Sequence, residues 1–336
     1  MKYLLIFSLL FTSIGCSERN KSENPIQYDI IQNPLLEKGA DPWIVNHNNK
    51  FHYCFSKGNR IGIKSVNKLS ELQGTNERTL WQAPLNTKYS RGIWAPELHF
   101  IEQQWYVYFA ADDGTNENHR MHILSSESKF IDSQFNYVGQ ISDESNRWAI
   151  DGTVLSHLNK LYFIWSGWEA EVNGQQNLYI AEMESPTQIT SKRSLISFPE
   201  YEWEKRGSNE DLPTINEGPQ ILKRNGKVFI VFSASGSWSD HYCLGLLELI
   251  GEDPLSKNSW KKKNEPVFEG TDSVISPGHP SFLKIRNQDF IVYHHTKFKG
   301  GGWRNRQVKI QPFYWKLDKP KFGLPLHDGS MVKIEY

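Results

Sequence analysis

The sequence predicts an all-β protein and, within that class, a five-bladed β-propeller. Three observations carry this expectation. One phrase recurs five times, helical periodicity is scarce, and aromatic residues reach 13%, with 12 Trp. Each copy opens on a small or ionisable leader and, about ten residues later, a turn launches an aromatic, β-branched strand. The leaders are Asp41, Ala95, Asp151, Glu217 and His279, spaced about 54 to 66 residues apart. A period this long, with hairpins inside it, suits propeller blades.

The strands follow in order. The phrases lead into Phe51 to Phe55, Trp105 to Phe109, Leu161 to Trp165, Val228 to Phe232 and Phe290 to Tyr293. A third strand is expected over 60–64, 120–124, 177–181 and 243–247. Outer strands are expected around Thr79 to Gln82, Tyr137 to Ile141 and Val267-Phe268, and Pro312 to Leu317 is expected to complete the last blade.

The chain ahead of this array reads differently. Lys2, the apolar run Tyr3 to Phe11 and Ser13-Ile14-Gly15 before Cys16 form a lipoprotein-type signal over 1–16, with Cys16 as the lipidated residue. The run is too short to span a bilayer. Polar residues over 17–30 read as a flexible tether, leaving 31–336 as one catalytic domain. An exported lipoprotein, periplasmic or cell-surface, is therefore expected, touching membrane only through the Cys16 anchor. Cys54 and Cys243 read as buried free thiols, with a disulfide left open by their spacing.

Charge is balanced, with 38 basic and 38 acidic residues among 336, so a nucleic-acid partner has no electrostatic support. In a propeller the innermost strands line a central channel, so equivalent leaders face one axis. Asp41, Asp151, Glu217 and His279 then converge, and Ala95 is the exception. Carboxylates in an aromatic-walled pocket suit cleavage of a glycosidic bond, which needs an acid at the leaving oxygen and a base or nucleophile opposite. Packed close in a partly dry pocket, they titrate apart. Trp43, Trp94 and Trp168 are the candidate walls against a sugar face.

The motifs Asp41-Pro42-Trp43-Ile44, Ile93-Trp94-Ala95-Pro96-Glu97-Leu98-His99, Trp148 to Thr153, Asn216-Glu217-Gly218-Pro219 and Pro277 to Phe282 together resemble glycoside hydrolase family 43. The resemblance runs in order from about residue 30 to the C-terminus. It implies an inverting mechanism on a five-bladed propeller, with Asp41 as general base, Glu217 as general acid and Asp151 orienting the acid. It implies that Arg306 hydrogen-bonds the sugar and that His279 lies beneath it, near a central ion or water, calcium being a candidate structural cation; no cofactor is required. Phrases such as Tyr162 to Trp168, Tyr201-Glu202-Trp203-Glu204 and Phe232 to Trp238 are similar to the α-L-arabinofuranosidases of that family. The partner implied is an oligosaccharide or polysaccharide of plant or algal type. Pro280 and Tyr293-His294-His295 depart from the family pattern. β-Xylosidase or galactan-directed activity, and a non-catalytic glycan-binding lipoprotein, are the alternatives.

Overall fold

The computed structural model describes residues 27–336, and over them the chain is all-β, with only short 3-10 turns between strands. The signal segment, Cys16 and most of the expected tether lie outside the described residues. The end of that tether does not stay free. Tyr28–Gln32 forms a strand antiparallel to Met331–Glu335. Its alternation explains why: Asp29 and Ile31 point inward, and the Asp29 carboxylate accepts hydrogen bonds from Ser70 N (3.0 Å) and Tyr336 Oη (3.1 Å).

Five antiparallel runs follow. The first comprises Trp43–His47, Lys50–Lys57, Arg60–Val66 and Arg78–Gln82. The second comprises Arg91–Ile101, Gln104–Asp112, Arg120–Ser126 and Phe135–Ile141. The third has Ala149–His157, Lys160–Trp168 and Gln175–Ser185, edged by Gln188–Ile189 and Ser194–Ser197. The fourth has Thr214–Arg224, Lys227–Ala234, Cys243–Leu249 and Trp260–Lys262, and the fifth Ile275–Ile285, Gln288–Thr296, Arg306–Lys316 and Lys319–Lys321. A short parallel pairing of Gln175 and Gln176 with Thr214 and Ile215 joins the third run to the fourth.

Two outer-strand expectations need correction. Trp260–Lys262 edges the fourth run, while Phe268 makes only an isolated bridge to Leu244. Pro312 to Lys316 belongs to a long third strand that starts at Arg306, and Lys319–Lys321 supplies the edge. In the fourth run the edge strand comes earlier than the apolar spacing suggests, and in the fifth the third strand itself runs on through the expected segment.

The first hairpins close through two-residue turns. Asn48-Asn49, Glu102-Gln103, Leu158-Asn159 and Asn225-Gly226 all carry positive φ at both positions, the geometry that matches strand twist.

The aromatic strands pack between runs. One apolar cluster joins Ile61 and Cys54 to Leu98 and Trp105; the next joins Tyr108 and Met121 to Phe163 and Trp165. Further clusters join Ile164 to Phe232, Phe229 to Tyr293, and Val292 back to Phe51 and Ile44. Each cluster thus cements one run to the next, and the last returns to the first. Burial of each large side chain contributes about 1.5–3 kcal/mol. The first strands of the runs touch in the same cyclic order, with Ile275–Ile285 against Trp43–His47. Cys54 and Cys243 are buried free thiols within this packing.

Candidate active site

The first strand of the second, third, fourth and fifth runs is broken by a bulge, and these bulges help build the site. Pairing shifts between Trp94 and Glu97, Ile150 and Thr153, Glu217 and Gln220, and Gly278 and Ser281. One residue in each bulge is left-handed: Ala95 (φ 41°), Asp151 (55°), Gly218 (54°) and His279 (48°), and Asp41 (47°) holds the same conformation just before Trp43–His47. Left-handed backbone disfavours residues with a Cβ and recurs where structure serves function.

Glu217 therefore does not occupy the place of Asp41, Asp151 and His279. Gly218 holds that place, and Glu217 precedes it, as Trp94 precedes Ala95 and Ile150 precedes Asp151. The strand supplies two sets of side chains, one from the left-handed residue and one from its predecessor. Both sets reach one pocket of about 530 Å³, lined by Asp41, Asp151 and His279 from the first set and Trp94, Ile150 and Glu217 from the second. Arg306, at the start of its strand, completes the expected group.

Asp41 sits among nitrogen atoms. Its Oδ1 lies 3.3 Å from His279 Nδ1, 3.3 Å from His294 Nδ1 and 3.7 Å from Arg306 Nη1. Burial alone would raise its pKa, but the charge of His279, joined by that of Arg306, overcomes burial and holds the carboxyl well below the usual carboxylate range. Burial pushes His294 down to about 3, so the ring is neutral. Its Nδ1 accepts the Asp41 backbone N–H at 3.0 Å, which puts the ring proton on Nε2. His279 moves the other way: burial opposes its charge, but Asp41, Asp151 and Glu217 outweigh burial and raise its pKa.

Glu217 has different company. The Tyr242 hydroxyl donates to its Oε1 at 2.8 Å, and Leu212 and Pro213 add apolar lining to the same pocket. Burial raises its pKa, opposed by Tyr242 and His279 and reinforced by the charge of Asp41. Gly278 makes room for Tyr242, since a Cβ there would come within 2.2 Å of the phenol ring. Asp151 accepts the Gly218 N–H at 3.0 Å, the peptide next to Glu217. Burial drives Asp151 up to about 7, with His279 pulling back and Glu217 and Asp41 pushing further.

Of the three tryptophans expected as walls, Trp94 lines the pocket and is 40% exposed. It stacks at 3.9 Å on buried His119, which lies 3.0 Å from the Asp112 carboxylate. Trp43 and Trp168 do not line it. Trp43 packs on His99 at 4.7 Å and donates its indole N–H to Leu98 O. Trp168 is buried behind Trp148, stacked at 4.8 Å, and Trp148 presents the face instead. Trp238 and Trp303 complete the aromatic lining from loops outside the repeated phrase. Gln176, also in the lining, has a buried amide oxygen with no partner in the protein. The parallel pairing of 175–176 with 214–215 brings it there, a contact that spacing does not announce.

The central cation implied for His279 does not fit these residues. Among the described residues, no group of three or more His, Cys, Asp or Glu is arranged to hold a metal ion. The His279 Nδ1 faces two carboxylates, at 3.3 and 3.9 Å, that favour its charged form.

A pocket that favours the ionised form of one carboxylate and the protonated form of another between aromatic walls suits the sugar-processing hydrolases as a class. The chain belongs to the glycosyl hydrolases family 43, whose family model matches residues 31–320. An extracellular exo-α-(1→5)-L-arabinofuranosidase of Streptomyces avermitilis is 32% identical over 313 residues, covering 88% of this chain and 64% of that protein. This chain thus spans 64% of the length of that relative. The enzyme of the same name from Streptomyces chartreusis is 32% identical, covering 80% of this chain and 83% of its own. The crystal structure of an α-L-arabinofuranosidase from Lactobacillus brevis superposes with a TM-score of 0.82 at 32% identity, covering 89% of this chain and 98% of that one.

Proposed function

We propose that this protein is an inverting glycosidase that releases terminal α-L-arabinofuranose from oligosaccharide or polysaccharide chains. The carrying observation is the opposed titration of Asp41 and Glu217 in one pocket. Asp41, ionised, takes a proton from water as that water attacks the anomeric carbon. Glu217, protonated, delivers its proton to the departing glycosidic oxygen on the other face. The glycosidic bond breaks as the new C–O bond forms, so configuration inverts. Asp151 orients the acid through the Gly218 peptide, and Arg306 and Gln176 offer a donor and an acceptor to sugar hydroxyls. Trp94 and Trp148 supply apolar faces. The names carried by three relatives support arabinofuranose as the sugar.

The five runs, with their cyclic packing, read as the blades of a five-bladed propeller, one catalytic domain from about residue 28 onward. The extracellular label of the Streptomyces relatives supports export of this chain, and the sequence before residue 17 supports anchoring through lipidated Cys16. A screen of aryl α-L-arabinofuranoside, β-D-xyloside and galactosides tests the reading. Fastest release from the first is expected, with NMR of early product giving the inverted anomer. Dominant xyloside or galactoside cleavage overturns the sugar, and a retained anomer recasts Asp41 as nucleophile.

A further inference from the structure

A second cavity, about 500 Å³, lies against the catalytic pocket, and Trp303 and Arg306 line both. Its floor includes Gly39 and Ala40, the residues leading into Asp41. Phe55, stacked on Tyr53 at 5.2 Å, gives it an apolar wall. The remaining lining is unevenly charged. Its two carboxylates are already engaged: Glu77 by Lys57 at 2.8 Å and by Arg60, and Glu37 by Lys297 at 3.9 Å. Among the described residues, the lining cations Lys38, Lys64 and Arg304 have no carboxylate partner. Lys64 is half-buried, and its ammonium donates to Leu72 O at 2.8 Å, leaving further donors free. Burial, the largest influence on this ammonium, lowers its pKa against the opposing charge of Glu77, and an incoming anion would add to that opposition.

We infer that this cavity binds an acidic sugar unit, a hexuronate, of the same carbohydrate whose terminal residue enters the catalytic pocket across Trp303. The apolar ring face of the unit lies along Phe55 and Trp303, and its carboxylate meets Lys64 and Arg304. Substrates bearing such a unit are then held at two points, and neutral ones at one. The inference rests on the glycosidase reading above, but the cavity has its own binding readout.

Matched arabinofuranosyl oligosaccharides, one with a hexuronate in the acceptor portion and one with a neutral hexose there, supply the kinetic test. The ratio of their kcat/KM values is expected to favour the hexuronate about tenfold at low salt and to fall as salt rises. Arg304→Gln and Lys64→Gln are each expected to bring the ratio toward one. Equal rates in the unaltered protein, or a preference that survives both changes, overturn the inference. Arg304 is exposed, so its substitution carries the test if Lys64→Gln fails to fold. Calorimetric titration of the full chain with digalacturonate reads the cavity without turnover. Binding weakened by Arg304→Gln supports the inference, and no heat at millimolar ligand overturns it. Failure to cleave any furanoside would instead sink the proposed function and leave the titration to decide the cavity.

Discussion

Asp41 and Glu217 are carboxylates in one pocket, one just before and one within the first strand of its run, yet their surroundings push them in opposite directions. Asp41 faces the cations His279 and Arg306, so its charge is the favoured form. Glu217 has one phenol donor, and burial, the largest influence on it, raises its pKa. Backbone geometry adds to the contrast. Asp41 occupies the left-handed position itself, whereas Glu217 precedes the left-handed Gly218. The pair teaches that the role of a buried acid is set by the charges and donors that face it, not by the residue type.

Replacing each acid sharpens the contrast most. Asp41→Asn is expected to lower kcat by about 10²–10⁴ on every substrate, since attack by water is impaired whatever leaves. Glu217→Gln is expected to cost as much on sugar leaving groups and far less on activated aryl glycosides. Equal losses for Glu217→Gln on both substrate kinds would remove it as the acid. Tyr242→Phe is expected to lower kcat/KM about tenfold. It also removes a bond that favours ionised Glu217, so the alkaline limb of the pH–rate profile should move up while the acid limb stays. Arg306→Gln should differ in kind. Arg306 lowers the pKa of both Asp41 and Glu217, so its loss should move both limbs up. A shift of only one limb would mean that the two acids do not share this cation.

The smallest expected effect is on stability. Asp151 is protonated in the folded protein up to about pH 7 but ionises in the unfolded chain near its ordinary value of 3.8. Between those values the unfolded chain binds fewer protons, so this group's contribution is present at low pH and is lost as pH rises. Asp151→Asn should therefore narrow the fall in Tm between about pH 5 and pH 8, measured by calorimetry. An unchanged fall would place the strain elsewhere.

Much of this was legible in the sequence. The recurring phrase marks the bulged first strands, so Asp41, Asp151, Glu217 and His279 could be expected together before any coordinates. Trp94 and Arg306 follow from their motifs. The aromatic lining was less legible because Trp148, Trp238 and Trp303 sit in connections, where no period repeats. Trp168 and Trp148 occupy the same stack, and only the fold decides which one faces the sugar. The one-residue offset of Glu217 was hidden too. Its leader reading treats Glu217 as the equivalent of Asp41, and only the backbone angles separate them. His294 keeps to the family pattern, the departure in that segment being at His295, and it was not singled out as a site residue, although its neutral ring fixes the Asp41 backbone.

The bulges have one more implication. Because the left-handed kink is carried by backbone and holds four residue types at five positions, its side chain can be exchanged without rewriting the surrounding ladder. The scaffold is in this sense a rack with interchangeable slots. Ala95 fills one of them with nothing but a methyl group. Asparagine accepts the same backbone with less strain than alanine, so that slot is the natural place to graft a new polar function onto the existing chemistry.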